Sequence, residues 1–270
     1  MPVTTRHNQK GAALPAVLGV AAILGLMAAA FVQTARYNSL TTRHSVKDIE
    51  LSYLAKAASE RTIADLLTTS SQIPRDGTPY RFSLGEYDSV VRLWDEKGKL
   101  DLNFVPASTL EAIINLVAEE TSLNIDTDKI VDAILERRRA QARNGAGAFR
   151  SIYDLSQIEG VSDALFEMLN PYITVASYSP RVNLAFAEEP VLRSLPGISN
   201  ADVNRVLNAK ETGDEFSVPS VAAWSTSVTG PFYRIYTEVS APNGQTSARD
   251  ITVWVQETGE PKIIETRPVY

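Results

Sequence analysis

KGAALPAVLGVAAILGLMAAAFVQTAR, residues 10–36, decides how the rest of this chain is read. From Ala12 to Val32 it carries no charged side chain. As a helix those residues span roughly 32 Å, about the thickness of a bilayer core. Pro15 stands in the first turn, where its missing N–H costs little. Arg6 and Lys10 precede the run. By the positive-inside rule they leave the N-terminus cytoplasmic and send the body across the membrane. Three readings compete: a secretory signal peptide cut near Ala28-Ala29-Ala30, an uncleaved single-span anchor, or a segment cut at Gly11 and kept. The run is long for a signal-peptide core. Helical spacing also continues past it, through Val46, Ile49, Tyr53, Ala57, Ala64 and Leu67, with no further proline before Pro74. A signal peptide would discard half of one continuous helix.

The composition narrows the chemistry. With 270 residues, 44% hydrophobic and 21% charged, the chain can bury a core in one large or two small domains and is not globally disordered. The net charge is −6, and the body is more acidic still, because Arg6 and Lys10 stand ahead of it. Such a body repels nucleic acid and anionic lipid unless local patches reverse the field. The absence of cysteine removes disulfides, thiolate nucleophiles, zinc fingers and iron–sulfur ligation together. The two histidines, His7 and His44, lie ahead of the apolar run and on its helical continuation. That leaves the body without an imidazole for a Ser–His–Asp triad or a metal site. No GxGxxG, phosphate-binding loop or GxSxG motif occurs. The expectation is a protein that is not an enzyme and needs no cofactor or metal.

Beyond the long helix, residues 79–97 hold aromatic and β-branched residues in partial alternation and read as two or three strands. Residues 229–258 read as two strands around Pro242-Asn243-Gly244, a hairpin turn, with Ile263 and Ile264 in a last strand. Residues 101–224 between them read as helical. Ser108 to Glu111 predicts a capping box. Asp126 or Thr127 opens a second helix, Ser151 and Ser162 cap two short ones, and Ser199 opens another that ends near Gly213. A diverged repeat runs through this block. DLNFV at 101–105 parallels RVNLA at 181–185, with Asn103 matching Asn183. Val131, Ile134, Leu135 and Arg138 parallel Val203, Val206, Leu207 and Lys210, and Phe149-Arg150-Ser151 parallels Phe216-Ser217-Val218.

A short basic leader ending in Gly, an immediate apolar run and a helical continuation resemble the precursors of type IV pilins and pseudopilins. The resemblance implies that a prepilin peptidase cuts after Gly11 and methylates Ala12 as the new N-terminus. Most members carry Glu at the fifth mature position, where it pairs with a neighbour's N-terminal amine; here that position is Ala16. The minor pseudopilin family called general secretion pathway protein K typically lacks this Glu and caps the pseudopilus tip. The phrases LDLNFVPASTLEAII, ILERRRA, FRSIYDLSQIEGVSDALFEMLNPYITV and RVNLAFAEEPVLRSLPGISNADVNRVL resemble that family's inserted helical domain.

Four other signals compete with this reading. LPGIS at 195–199 and IEGVS at 158–162 resemble helix-hairpin-helix turns, which hold a DNA phosphate on backbone N–H groups. They point to a membrane-anchored DNA receptor as the alternative. Glu159, Asp163 and Asp202 beside the turns oppose a phosphate. Arg137, Arg138, Arg139 and Arg143 read as a solvated helix C-terminus rather than a docking patch. Asp126, Asp128 and Asp132 fail the spacing of a calcium loop, and surface charge with N-capping explains them. Calcium enters through the family resemblance alone, and Glu257, Glu260 and Glu265 are not assigned as its ligands. Gly19 and Gly25 permit close helix packing or simply reflect membrane-helix composition.

The expected fold is α+β. A long N-terminal helix packs on a small antiparallel pilin-like sheet with an inserted all-helical domain of two diverged repeats. The expected boundaries are a leader at 1–11, a membrane and filament-core helix at 12–33, an amphipathic helix and first strands at 34–100, the helical insertion at 101–224 and closing strands at 225–270. Helix packing is assigned to Leu14, Leu18, Gly19, Ile23, Gly25, Leu26 and Phe31. The resemblance implies an inner-membrane protein with a periplasmic body. Its expected partners are prepilin peptidase, the inner-membrane assembly platform, other minor pseudopilins, and secreted substrate or the outer-membrane channel, with no nucleic acid.

Overall fold

The computed structural model describes residues 13–68, 73–142, 148–256, 260–267 and 269. The chain divides into two compact units, Met1–Tyr53 and Leu54–Tyr270, with the boundary inside a single helix, α1 (Ala13–Leu66). The described part of the first unit is helix alone. The second is a five-stranded sheet, the last turns of α1 and a block of helices.

The sheet is antiparallel throughout, in the order β1 (Tyr80–Leu84), β2 (Tyr87–Asp95), β5 (Phe232–Ser240), β6 (Thr246–Trp254) and β7 (Lys262–Arg267). Alternation divides the side chains of each strand between two faces. Val91, Leu93, Ile235, Ile251 and Val253 form the apolar face and pack with Ile63 of α1. The helical continuation from residue 54 is present as expected, but a different face packs. Ala57, Ala64 and Leu67 are exposed, while Ala55, Ala58, Ser59, Thr62 and Ile63 are buried. This face is made largely of small residues, and Arg249 of β6 donates to the Ser59 hydroxyl at 3.0 Å. The Ser59 and Thr62 hydroxyls are satisfied within the helix, donating to the carbonyls of Lys56 at 2.7 Å and Ala58 at 2.9 Å.

The other sheet face is charged and aromatic, and the helical block packs against it. Arg234 pairs with Asp250 at 2.5 Å. Buried Glu96 and Lys99 pair at 2.8 Å. Burial pulls the Lys99 ammonium down to about 8. Glu96 is also buried, yet Lys99 and Arg267 hold it below the usual carboxylate range. Removing one partner of such a pair is costly, whereas the pair itself contributes little net stability. Asp95 clamps the chain where it leaves and rejoins the sheet. Its Oδ1 accepts from the Lys97 N–H at 2.9 Å and its Oδ2 from the Gly230 N–H at 2.7 Å. At Gly98 an added Cβ would lie 2.6 Å from the Phe186 carbonyl oxygen, so this close approach requires glycine.

The helical block lies in sequence between neighbouring strands β2 and β5. It contains α2 (Ala107–Thr121), α3 (Thr127–Ala142), α4 (Asp163–Leu169), α5 (Glu189–Arg193) and α6 (Asn200–Thr212), with 3-10 turns at Ile152–Gln157 and Pro219–Val221. Leu102, Leu110, Ile113, Ile134, Phe149 and Val206 lie in one continuous core. Caps fall at Ser151, Ser162 and Ser199, and Gly213 ends α6. Asp126 accepts from the Lys129 N–H at 3.1 Å as the cap of α3. The capping box expected at Ser108 is absent. α2 starts at Ala107 behind an extended Pro106 that makes no side-chain cap. The five residues of α5, opened by a Pro in the first turn, are a helix that the sequence did not signal.

The two halves of the block repeat, with one register corrected. Asp101 Oδ1 accepts from the Asn103 N–H at 2.9 Å, and Asn183 Oδ1 accepts from the Ala185 N–H at 3.1 Å. The carbonyls of both Asp101 and Asn183 then receive the N–H groups three and four residues on. Asn183 therefore matches Asp101, not Asn103, because either side chain makes the same two-residue turn. Parallel bridges close both halves alike, Leu100 with Ile173 in β3 (Leu100–Asp101) and β4 (Ile173–Thr174), and Val182 with Ser225.

Candidate functional site

The segment Leu14–Asn38 is long and apolar enough to cross a membrane, with a mean hydropathy of 2.3. Leu14, Leu18, Ile23, Leu26 and Phe31 are all more than half exposed. Ala16 is exposed as well. At Gly19 and Gly25 an added Cβ would meet nothing within 4 Å. Farther along the same helix Val46, Ile49 and Tyr53 are also exposed. Apolar surface on this scale is stable only against lipid or against another apolar surface. The cleavage position Gly11–Ala12 and the basic residues Arg6 and Lys10 lie outside the described residues.

The two hairpin turns form as the sequence implies, with Gly160 at φ 93° and Gly197 at φ 83°. Both conformations favour glycine. The N-terminus of α6 is already occupied by carboxylate. Asp202 Oδ2 accepts from the Ser199 hydroxyl at 2.8 Å and the Ser220 hydroxyl at 3.0 Å, with the Ser199 N–H at 3.4 Å. Beside the other turn, Glu159 pairs with Lys129 at 2.6 Å. A phosphate at Ser199 would have to displace an internal anion.

The arginine cluster is not the solvated helix end that its composition suggests. Arg138 is half-buried and donates to the carbonyls of Leu102 at 2.6 Å and Val105 at 2.7 Å. Arg137 donates to the Ala148 and Asp154 carbonyls at 3.1 Å each, pairs with the Asp154 carboxylate at 3.3 Å and lies 4.9 Å from the Phe149 ring centroid. Arg139 is exposed, and Arg143 lies outside the described residues. Among the described residues, no group of three His, Cys, Asp or Glu side chains gathers to hold a metal ion. Glu257 lies outside them. Glu265 accepts from the Ser151 hydroxyl at 2.5 Å and pairs with Arg267.

No protein-family model and no curated protein matches the sequence. Among solved structures, the fold matches a chain of the GspK–GspI–GspJ complex from the type 2 secretion system of enterotoxigenic Escherichia coli. The TM-score is 0.53 at 13% identity, over 84% of this chain and 99% of that one. The chain has a pseudopilin-like fold.

One feature of this pseudopilin-like body has no local sequence signal. A cavity of about 680 Å³ lies between the β6–β7 side of the sheet and the first half of the helical block. Its aromatic lining comes from five separated segments, at Phe104, Phe149, Tyr178, Phe232 and Trp254. Tyr178 has φ 49°, a left-handed conformation that costs a non-glycine residue about 1 kcal/mol. Its N–H donates to Asp101 at 2.8 Å. Burial pushes the Asp101 carboxyl up to about 6, against the N–H groups of Asn103 and Tyr178 and the Ser177 hydroxyl.

Proposed function

We propose that the protein is a minor pseudopilin of a type II secretion system, a structural subunit placed at the pseudopilus tip in the manner of general secretion pathway protein K. The observation that carries this reading is the exposed apolar helix from Leu14 to Asn38 in a chain whose sheet admits a helical block between neighbouring strands β2 and β5. The fold likeness to a chain of the GspK–GspI–GspJ complex supports it. In this reading the precursor enters the inner membrane with its N-terminus in the cytoplasm and its body in the periplasm. Prepilin peptidase cuts between Gly11 and Ala12. The helix first rests in lipid and then packs against the helices of other minor pseudopilins.

Ala16 gives the mechanism its direction. A carboxylate at that depth is costly and pairs with a neighbour's amine. With alanine there, this subunit contributes no carboxylate to that pairing, which suits the end of an assembly. The bulky helical block then limits further addition and is available to secreted substrate or the outer-membrane channel. The role requires no catalytic group.

Intact-mass measurement of the protein made with and without prepilin peptidase tests the reading. The expected product begins at methylated Ala12. An unchanged Met1 start in the presence of the peptidase refutes it. Salt-sensitive DNA binding at physiological ionic strength would instead support a receptor built on the hairpins.

A further inference from the structure

The cleft between the sheet and the helical block carries three features that packing alone does not require. The first is a row of rings. Phe104, Tyr178, Phe232 and Trp254 follow one another with centroids 6.4, 5.4 and 6.2 Å apart. Phe104 is 46% exposed and Tyr178 64%, so the outer end of the row faces water. Tyr178 is held there in a left-handed conformation by its hydrogen bond to Asp101. Backbone strain of this kind concentrates at binding sites.

The second feature is polar. Arg267 and Thr252 both line the cavity and are almost completely buried, yet among the described residues Arg267 Nη1 and Thr252 Oγ1 have no hydrogen-bond partner. Leaving a buried guanidinium N–H without an acceptor is costly. The third is backbone. β7 borders the cavity through Ile264, Glu265 and Arg267 and, among the described residues, pairs with β6 alone. Ile263 and Ile264 are each about half exposed along this open edge.

We propose that this cleft binds an extended peptide segment of another protein, added to the sheet beside β7, with an acidic side chain on Arg267 and an apolar one on the aromatic row. An open strand edge offers alternating N–H and C=O groups, which another extended backbone satisfies along its length. The charged lining carries Arg150 and Arg267 against Glu265; Glu265 engages Arg267 through Nε and Nη2, which leaves Arg267 Nη1 and the Arg150 side chain as the cationic donors of the cleft. Charge complementarity therefore selects an anionic group. Alternate residues of an added strand face the same side, so one segment can present the acid and the apolar group together. None of these residues belongs to the segment Leu14–Asn38, so the cleft is testable apart from assembly.

The test uses full-length protein in detergent micelles. N-acetylated, C-amidated octapeptides alternating valine and serine around one central glutamate are titrated against the same peptides with glutamine. The glutamate peptides are expected to slow amide hydrogen exchange at residues 262–267 and to bind about tenfold tighter than the glutamine peptides. Tyr178→Gly relieves the left-handed conformation and removes a ring. It is expected to keep or raise the melting temperature while weakening glutamate-peptide binding about fivefold. Absence of β7 protection at millimolar peptide, equal affinity for the two peptide sets, or undiminished binding by Tyr178→Gly overturns the proposal.

Discussion

Arg138 and Lys210 hold the same place in the two halves of the helical block. Arg138 Nη1 donates to the Val105 carbonyl at 2.7 Å, and Lys210 Nζ donates to the Ala187 carbonyl at 3.0 Å. Each carbonyl lies four residues beyond the Asp101 or Asn183 that starts its turn. The cation of the second helix in each half therefore closes that half on its own entry turn. Two carbonyls depend on Arg138, and one on Lys210.

Arg138→Met is accordingly expected to cost about 2–3 kcal/mol, since hydrogen bonds to a charged group are lost and acceptors are left behind. Lys210→Met loses one such bond and an ion pair with Asp76 at 3.7 Å, and is expected to cost about 1.5 kcal/mol. Arg138→Lys should recover part of the loss through one carbonyl. Urea unfolding of the three variants checks the order. Equal effects for Arg138→Met and Lys210→Met would mean that the number of carbonyls held does not govern the cost.

Asp95 is a second closure point, where the helical block departs from β2 and the chain returns to β5. Asp95→Ala frees the N–H groups of Lys97 and Gly230, each at a cost of about 1–3 kcal/mol if left buried. The expected result is a lower urea midpoint with faster hydrogen exchange at Gly230. Asp95→Asn keeps one acceptor and should fall between. Exchange at Gly230 that is unaffected by Asp95→Ala would show that the clamp is dispensable.

Local chemistry was legible in the sequence. Ser151, Ser162 and Ser199 cap their helices, and the hairpin at Pro242-Asn243-Gly244 joins β5 to β6, because these residues act on backbone within a few positions. Features set by distant partners were not. The packed face of α1 runs through Ala55, Ala58 and Thr62, small residues that a search for large apolar residues passes over. Arg137 and Arg138 turn inward because carbonyls from other segments await them. The cleft draws its rings from residues 104, 149, 178, 232 and 254, and no local pattern unites them. The apolar segment Leu14–Asn38 was legible from composition alone, since a run of 25 residues of high hydropathy needs no distant partner to be recognised.

Asp101 supplies a pH dependence. Its carboxyl stands at about 6 in the folded protein against an ordinary 3.8. Between those values the folded state holds a proton that the unfolded state has released, so acidification stabilises the fold through this group and raising the pH removes that stabilisation. From pH 7.5 to pH 5 the wild type should gain about 1.4 kcal/mol relative to Asp101→Asn, which does not titrate. Paired urea titrations at the two pH values measure the difference. A gap between the proteins that does not change with pH contradicts the assignment.

Gly19 and Gly25 distinguish packing between subunits from the ordinary composition of a membrane helix. A side chain at either position has open space within the subunit. Gly19→Leu and Gly25→Leu should therefore leave the urea midpoint of the body unchanged in detergent, and leucine favours helix over glycine by about 0.8 kcal/mol. Small residues matter when two helix backbones approach, because an added side chain forces them apart. Under the assembly reading, both variants are still cut after Gly11 and copurify poorly with other minor pseudopilins, while Gly19→Ala and Gly25→Ala, which keep the residue small, copurify better than the leucine variants. If both leucine variants copurify as well as wild type, these positions reflect composition and the helix packs through other residues.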